Sequence, residues 1–417
     1  MASIDPSNRF DVVICGGSFV GLALASALSE GAPGAYRIAI VEQRPVQEAR
    51  AGAFDGRSAA ITASAKAMLE VLGVWRQLEP VAQAIDRFEI TDSALETPIR
   101  TTLLGMDAED APDGQPTAYI VENAELRRAL FSCLDNCPDV HWFAPDSIKA
   151  FKVDEGAVTI ELASGGAISS TLLVAADGQN SALRAMSGIG AMVWRSDKVG
   201  IVGTLGIERP HRGVARQHFL PVGPFAILPM TGNRVSIVWT ENNAAAKTIL
   251  GSDLDIVLRE LENRFGPELG KIELLSKLSA YPLTMTLARD FVKPRFALAG
   301  DAAHGLHWIA GQGLNHGLKD VAALAQTLIE ASRLGLDIGE ERVLKRYERW
   351  RRFDSTTSAF AAAALNRLFS NDSMALRMIR SAGLRTVDKA AGLKTLFMKE
   401  AAGLTGELPN LLKGQRI

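Results

Sequence analysis

Cysteine is scarce in these 417 residues: Cys15, Cys133 and Cys137 are all there is. An odd number with no Cys-x-x-Cys pair excludes a disulfide framework and a zinc site as organising devices. Cys133 and Cys137 stand at helical spacing and read as two small residues on one buried face. Net charge is scarce too, at −2 from 45 Lys and Arg against 47 Asp and Glu, and no local basic patch stands out. With neither field nor patch, nucleic acid is excluded as a partner. Long apolar runs are missing, so no segment is expected to span a bilayer. Residues 1–10 are polar and lack the charged-then-apolar order of a signal peptide. These absences point to a cytoplasmic chain, with attachment at the inner face of the membrane left open. Internal repeats, low-complexity stretches, Ser/His/Asp spacings and metal-ligand spacings are absent as well.

What is present describes a folded protein, 47% hydrophobic and 22% charged, too long for one ordinary core. Asp11–Cys15 is an apolar run broken by Gly16-Gly17; Phe19, Val20, Leu22, Ala23, Ala25 and Leu28 then continue in helical fashion. A second apolar strand, Tyr36–Val41, ends in Glu42 and completes a βαβ opening with parallel strands. Helices are expected over Ser64–Leu72, Leu126–Leu134, Leu254–Phe265 and Gly313–Arg333, and a hairpin around Ser164-Gly165-Gly166. Short strands separated by Pro and Gly turns fill the stretch from Met186 to Tyr281 (Val199–Ile207, Gln217–Leu220, Ala226–Pro229, Val235–Thr240). The pattern predicts an α/β protein. A discontinuous Rossmann-like domain (1–75, 105–185, 286–345) carries an inserted, mainly antiparallel sheet domain (76–104, 186–285) and a helical C-terminal region (346–417).

Three stretches carry chemistry. In Gly16-Gly17-Ser18-Phe19-Val20-Gly21, Gly16 and Gly21 suit the bend and the helix–strand contact of a dinucleotide turn, while Ser18 replaces the glycine that would meet the pyrophosphate. A glycine-rich turn alone is weak evidence. Here a strand precedes it, a helix comes after it, and Glu42 stands where a carboxylate binds ribose hydroxyls. The second stretch, Asp177-Gly178-Gln179-Asn180-Ser181 with Arg184, proves little by itself, since Ser181 could be only a local cap. The third, Gly300-Asp301-Ala302-Ala303-His304 followed by Gly311-Gln312-Gly313-Leu314-Asn315, sets an aspartate at the end of a buried strand and glycines at the start of a long helix. Such an aspartate can accept from ribityl hydroxyls, and such helix amides can stabilise negative charge on a flavin edge. His304 and His307 read as packing and hydrogen-bonding groups around this loop, ahead of any role as bases.

Taken together the three stretches resemble the group A aromatic flavoprotein monooxygenases, the para-hydroxybenzoate hydroxylase-like fold, over most of the chain. Within that group Tyr119–Asn123, Phe219–Pro229, Gly311–Val321 and Leu365–Asn371 look like the ubiquinone-biosynthesis hydroxylases. The resemblance implies FAD held by Gly16, Ser18, Gly21, Glu42, Asp177, Gly300, Asp301, Gly311, Gly313, Leu314 and Asn315. It places Arg57 near the cofactor and assigns either Asn123 or Arg127 to it. NAD(P)H is implied as a transient reductant, O2 as co-substrate and a polyprenylated phenol as the ring hydroxylated through a flavin C4a-hydroperoxide. It also implies a place in a ubiquinone-biosynthesis complex. Catalytic side chains are not required, because the flavin carries the chemistry. Pro224, His307 and Trp308 are the candidates beside substrate and flavin, and Trp308 departs from the family, which usually has proline there. Two alternatives stay open: a hydroxylase of a small soluble aromatic compound, and a non-catalytic FAD-binding scaffold. A flavin halogenase is disfavoured, since no Trp-x-Trp-x-Ile-Pro stretch occurs.

From Asn371 to Ile417 eight Lys and Arg stand against four Asp and Glu, interleaved with Met374, Met378, Ile379, Leu384, Leu393, Leu396, Phe397 and Met398. A basic amphipathic pattern fits either a membrane surface or a helix packed on its own domain. With a bilayer-resident substrate, membrane contact is the expectation, and deletion after Asn371 is expected to spare FAD.

Overall fold

The computed structural model describes residues 8–52, 54–92, 95, 100–111, 114–135, 137–306, 312–369, 383, 387–388 and 390–417. The apolar opening forms the strand Arg9–Cys15, at the centre of an eight-stranded sheet. Its neighbours are Ile38–Val41 on one side and Ala167–Ala175 on the other, both parallel to it. Phe296–Leu298 and Val140–Phe143 extend the parallel set outward. Strands buried on both faces explain the uninterrupted apolar runs: Val12, Val13, Ile14, Ile38, Ala39 and Ile40 are wholly inaccessible. The hairpin at Gly165 (φ +96°) adds an antiparallel extension, Val158–Leu162 and Ile148–Val153, to the same sheet. Helices Phe19–Gly31 and Gln312–Arg333 pack on this sheet and on each other.

A nine-stranded sheet forms a second core with the helix Leu254–Phe265, which buries Val257, Leu261 and Phe265 against Phe225, Ile227 and Trp239. It is antiparallel except where Val214–Phe219 runs parallel to Arg87–Asp92. Its longest strand, Ala191–Ile207, starts eight residues before the Val199 read from sequence. Ala191–Arg195 lies along Thr284–Ala288, with Met192, Val193 and Trp194 exposed, so alternation gives no signal there. Thr102–Asp107 pairs wholly within this sheet. A small three-stranded sheet, in the order Ser58–Thr62, Ala118–Glu122, Gln83–Ala84, lies between the two.

The C-terminal region is less uniformly helical than its sequence suggests. Glu341–Phe369 and Ala391–Ala401 are helices, but Gly403 (φ +70°), Gly406 (φ +79°) and Pro409 interrupt the chain after Ala401. Met398 is buried with Leu104, Met106 and Ala111 of the second sheet's margin, and Lys394 pairs with Asp110 at 3.1 Å. Nearer the C-terminus, Leu411 and Leu412 are buried in the first core, and the Asn410 amide donates to Gln326 Oε1 at 2.8 Å. Deletion after Asn371 would therefore remove core residues, so a loss of stability is expected with it. Among the described residues no helix is long and apolar enough to cross a membrane.

Candidate cofactor site

The first motif folds as a close-approach turn. Gly16 has φ +112°, and a Cβ there would lie 2.4 Å from the Ala176 carbonyl oxygen. At Gly21 a Cβ would lie 1.9 Å from the Gly16 carbonyl, so helix and turn touch backbone to backbone. Ser18 is the N-cap of the helix Phe19–Gly31, yet its hydroxyl makes no capping bond and lines a cavity of about 290 Å³. Glu42 borders the same cavity. Its Oε2 accepts from the Gly17 amide at 2.8 Å, and its Oε1 accepts from the backbone and side chain of Arg44 at 3.1 Å.

Asp177 brings the second motif to this cavity, at the end of Ala167–Ala175. Its Oδ2 accepts from the Leu183 amide at 3.2 Å, while its Oδ1 is buried without a partner. Burial, followed by the charges of Asp177 and Glu42, pushes the Cys15 thiol up to about 12, so this cysteine stays an unreactive neutral wall. Arg184 joins the second motif to the third: it donates to the Ala302 carbonyl at 2.8 Å and to the Gln179 carbonyl at 3.0 Å.

Gly300 has φ +62°, and Val20 is wedged between it and Gly317; a Cβ on either glycine would meet Val20 Cγ2 within 2.8 Å. Asp301 follows on a single 3₁₀ turn and is partly buried. Gly313, Leu314 and Asn315 open the long helix. The Asn315 side chain is taken up by the small sheet, accepting from the Thr62 amide at 3.0 Å and donating to the Ala60 carbonyl at 2.7 Å. His304 is fully buried and bonded to Asp320, in keeping with a packing role. Pro224 is half-buried at the start of a strand in the second sheet. His307, Trp308 and Gly311 lie outside the described residues.

Arg57 pairs with Asp55, lies 5.7 Å from the Tyr281 ring, and offers its carbonyl to the Asn123 amide at 3.1 Å. Asn123 opens the helix Asn123–Leu134, and one turn further along it Arg127 lies 5.4 Å from the Phe19 ring, at the start of the first helix. Arg127 is thus beside the first turn and Asn123 one helical turn away from it, and their chemistry differs. Asn123 has a buried carbonyl oxygen without a partner; Arg127 is a buried cation, 8% exposed, whose Nε has none. No carboxylate among the described residues forms an ion pair with Arg127. Burial, then the nearby Arg44 and Arg57, lowers its pKa. Gly52 makes room for it, since a Cβ there would lie 2.2 Å from Nη1.

Gln43, Asp146, Ser147 and Ile148 also line the cavity and carry no motif. Their only signal is position: they come after the carboxyl ends of Ile38–Val41 and Val140–Phe143, where an open parallel sheet forms its ligand crevice. A larger hollow of about 500 Å³ beyond the helix Leu254–Phe265 contains none of the motif residues. Size alone would mislead; chemistry favours the smaller cavity. Its needs are specific: the buried Asp177 acceptor calls for hydroxyls, and the uncapped helix start at Ser18 calls for phosphate, while Asn123 and Arg127 lie outside its lining and add a buried acceptor and a buried cation on the Phe19 side. A dinucleotide offers both.

A family model described as FAD binding domain matches residues 9–358. The chain belongs to this family. Its cofactor is FAD, and the cavity residues fit it. Over 407 residues the chain is 38% identical to the ubiquinone hydroxylase UbiL of Rhodospirillum rubrum, covering 97% of this chain and 92% of that protein. It is 31% identical over 404 residues to the 3-demethoxyubiquinol 3-hydroxylase of Escherichia coli, covering 94% and 98% respectively. Among solved structures it is similar to the p-nitrophenol 4-monooxygenase PnpA of Pseudomonas putida DLL-E4, with TM-score 0.77 and 20% identity, covering 96% of this chain and 99% of that one. That last likeness is one of fold.

Proposed function

We propose that this FAD-binding protein is an oxygen-using hydroxylase acting on the ring of a polyprenylated phenol in ubiquinone biosynthesis. The observation that carries the reading is the end-to-end likeness to a ubiquinone hydroxylase, which spans both sheets and the C-terminal region. Bound FAD would supply the redox chemistry that couples NAD(P)H oxidation to insertion of one oxygen atom of O2 into the ring, the other leaving as water. The chain's part is binding and orientation. The Ser18 hydroxyl and the first amides of its helix would hold the pyrophosphate, and Arg127 would compensate the phosphate charge. Glu42 takes the ribose; Asp177 and Asp301 accept from hydroxyls of the ribose and ribityl chain. The start of the helix Gln312–Arg333 presents amides to the electron-rich edge of the flavin. Asn315 fixes that helix start against the small sheet. Pro224, at the start of a strand in the second sheet, is the described candidate for contact with the substrate.

Between the two candidates for the arginine position, Arg127 is the better one, because a buried unpaired cation gains a partner on binding while an amide gains one hydrogen bond. Arg127→Gln should weaken FAD binding by about 100-fold, in the range of a lost charge-assisted contact, and Asn123→Ala by about tenfold. Equilibrium dialysis of the flavin-free chain measures both; equal effects would remove the preference for Arg127, and a larger effect at Asn123 would reverse it.

A bilayer-resident substrate asks for a route from the membrane. On the helix Ala391–Ala401, Met398 faces inward while Leu393, Leu396 and Phe397 are 44%, 56% and 47% exposed, with Lys399 exposed beside them. This surface is proposed to rest on the membrane. The deciding assay measures NAD(P)H oxidation and hydroxylated product with a prenylated phenol supplied in anionic vesicles or in detergent. Product in both formats is expected, and the Leu396→Asp, Phe397→Asp double variant should lose most activity in the vesicle format alone. Product from small aromatic acids only would replace the ubiquinone reading, and no product from any phenol would favour a scaffold.

A further inference from the structure

Behind the Gly300–His304 turn lies a buried ionic cluster to which no cofactor contact is assigned. Asp320, on the helix Gln312–Arg333, is fully inaccessible. Its Oδ2 accepts from the Gly300 amide at 2.8 Å and from His304 Nε2 at 2.6 Å, and its Oδ1 accepts from Arg351 Nε at 2.7 Å. Arg351 comes from the next helix, Glu341–Phe369, and its Nη1 continues to Asp354 Oδ2 at 2.5 Å. Lys319 Nζ stands 3.6 Å from the same carboxylate, so two cations balance two anions.

Burying such a set costs desolvation that apolar residues of the same size would not incur. Stability alone is a poor reason to build it; fixing one arrangement of the backbone is a better one. The arrangement fixed here is the turn bearing Asp301. Gly300 is in a left-handed conformation, pressed against Val20 on its other side, and the bond its amide donates to Asp320 holds it there. Without that acceptor the amide would be a buried orphan, and the turn would relax to find a partner.

We infer that Asp320 is a positioning residue for the cofactor, holding the Asp301 turn from behind, and that Arg351 couples this hold to the seating of the helix Glu341–Phe369. The inference rests on the FAD reading but acts through groups that do not touch the flavin. It predicts two effects that move together in the full-length, flavin-free chain. Asp320→Asn keeps the shape and one acceptor but removes the charge. It should raise hydrogen exchange in residues 299–305 by about tenfold and raise the Kd for FAD by about tenfold or more, measured well below the variant's Tm. Arg351→Lys keeps the charge but gives up the planar donor fork, and should show the same pair of effects at about threefold. It remains available if the first variant does not fold. Loosening spread evenly over the first sheet, or an unchanged Kd for FAD in a folded variant, would overturn the inference and leave only a structural role. Should the unmodified chain fail to bind FAD, the cofactor reading falls, while exchange at 299–305 still decides whether Asp320 holds the turn.

Discussion

A Gly21→Ala chain is expected to purify without flavin and with its first core loosened. The added Cβ would lie 1.9 Å from the Gly16 carbonyl oxygen and 3.3 Å from Ile14 Cγ2, and neither neighbour can retreat. The Gly16 amide donates to the Val41 carbonyl at 2.9 Å, and the Ala176 amide donates to the Cys15 carbonyl at 2.8 Å, so the turn is tied on both sides. The helix cannot back away cheaply either, because Leu22, Leu24 and Leu28 are fully buried and Val20 is wedged between two glycines. Overpacking commonly costs about 1–3 kcal/mol, and a backbone collision belongs at or above the top of that range, roughly 3 kcal/mol or more. The helix start would move with it. On the proposal that its amides hold the pyrophosphate, FAD affinity should fall by about 100-fold or more. Gly34→Ala is the control: its φ is +73° but nothing lies within 4 Å. It should cost about 1 kcal/mol of backbone strain and leave the protein yellow. Flavin absorbance per chain and thermal midpoints of both variants decide the matter; a fully yellow Gly21→Ala of unchanged midpoint would refute the argument.

The roles of Gly16 and Gly21 were legible because they are backbone roles, set by local spacing and by the strand and helix on either side. The same holds for the helix at Leu254–Phe265, whose boundaries the apolar period marks. Choosing between Asn123 and Arg127 was not possible from spacing, because the choice depends on Phe19 and Gly52 meeting Arg127 from distant parts of the chain. Gln43, Asp146, Ser147 and Ile148 were silent for a related reason: strand ends supply them to the crevice singly, with no repeat between them. Asn315 reads as a cofactor residue by motif, and the engagement of its side-chain amide by Ala60 and Thr62 is a further role that only the tertiary pairing reveals. The tail misled by composition. Its charge suggested a detachable surface element, whereas Leu411 and Leu412 close the first core and Met398 closes the margin of the second sheet.

Mild acid is expected to destabilise the folded chain well before its carboxylates titrate, and two buried histidines are the reason. His218 bonds Thr91 through Nδ1 at 2.8 Å, stacks on Phe225, and has an unpartnered Nε2; burial, then the charges of Arg100 and Arg216, lowers its pKa from 6.5 to about 3. His316 packs edge-on against His304 and is lowered to about 3 as well, by burial first and by His304, Arg351 and Lys319 after it. In the unfolded chain both would protonate near 6.5. Between pH 6.5 and 3 the unfolded state therefore binds more protons than the folded one, and stability falls as pH falls. The stabilisation is complete above 6.5 and is lost at about 1.4 kcal/mol per pH unit for each histidine below it. At pH 5 the pair should already have cost roughly 4 kcal/mol, a large share of the ~5–15 kcal/mol typical of a domain. Asp320 adds nothing between pH 7.5 and 5. Burial alone would raise it, but His304 and Arg351 hold it at about 2, so its contribution fades only below the ordinary carboxylate range. Urea unfolding of the full chain at pH 7.5 and pH 5 measures the loss. His218→Gln keeps a group able to bond Thr91 but cannot titrate, so its own loss between the two pH values should be about half that of the parent. Comparing each protein with itself removes whatever the substitution costs at neutral pH. Equal losses in parent and variant would show that His218 titrates normally in the folded state and is reached by water after all.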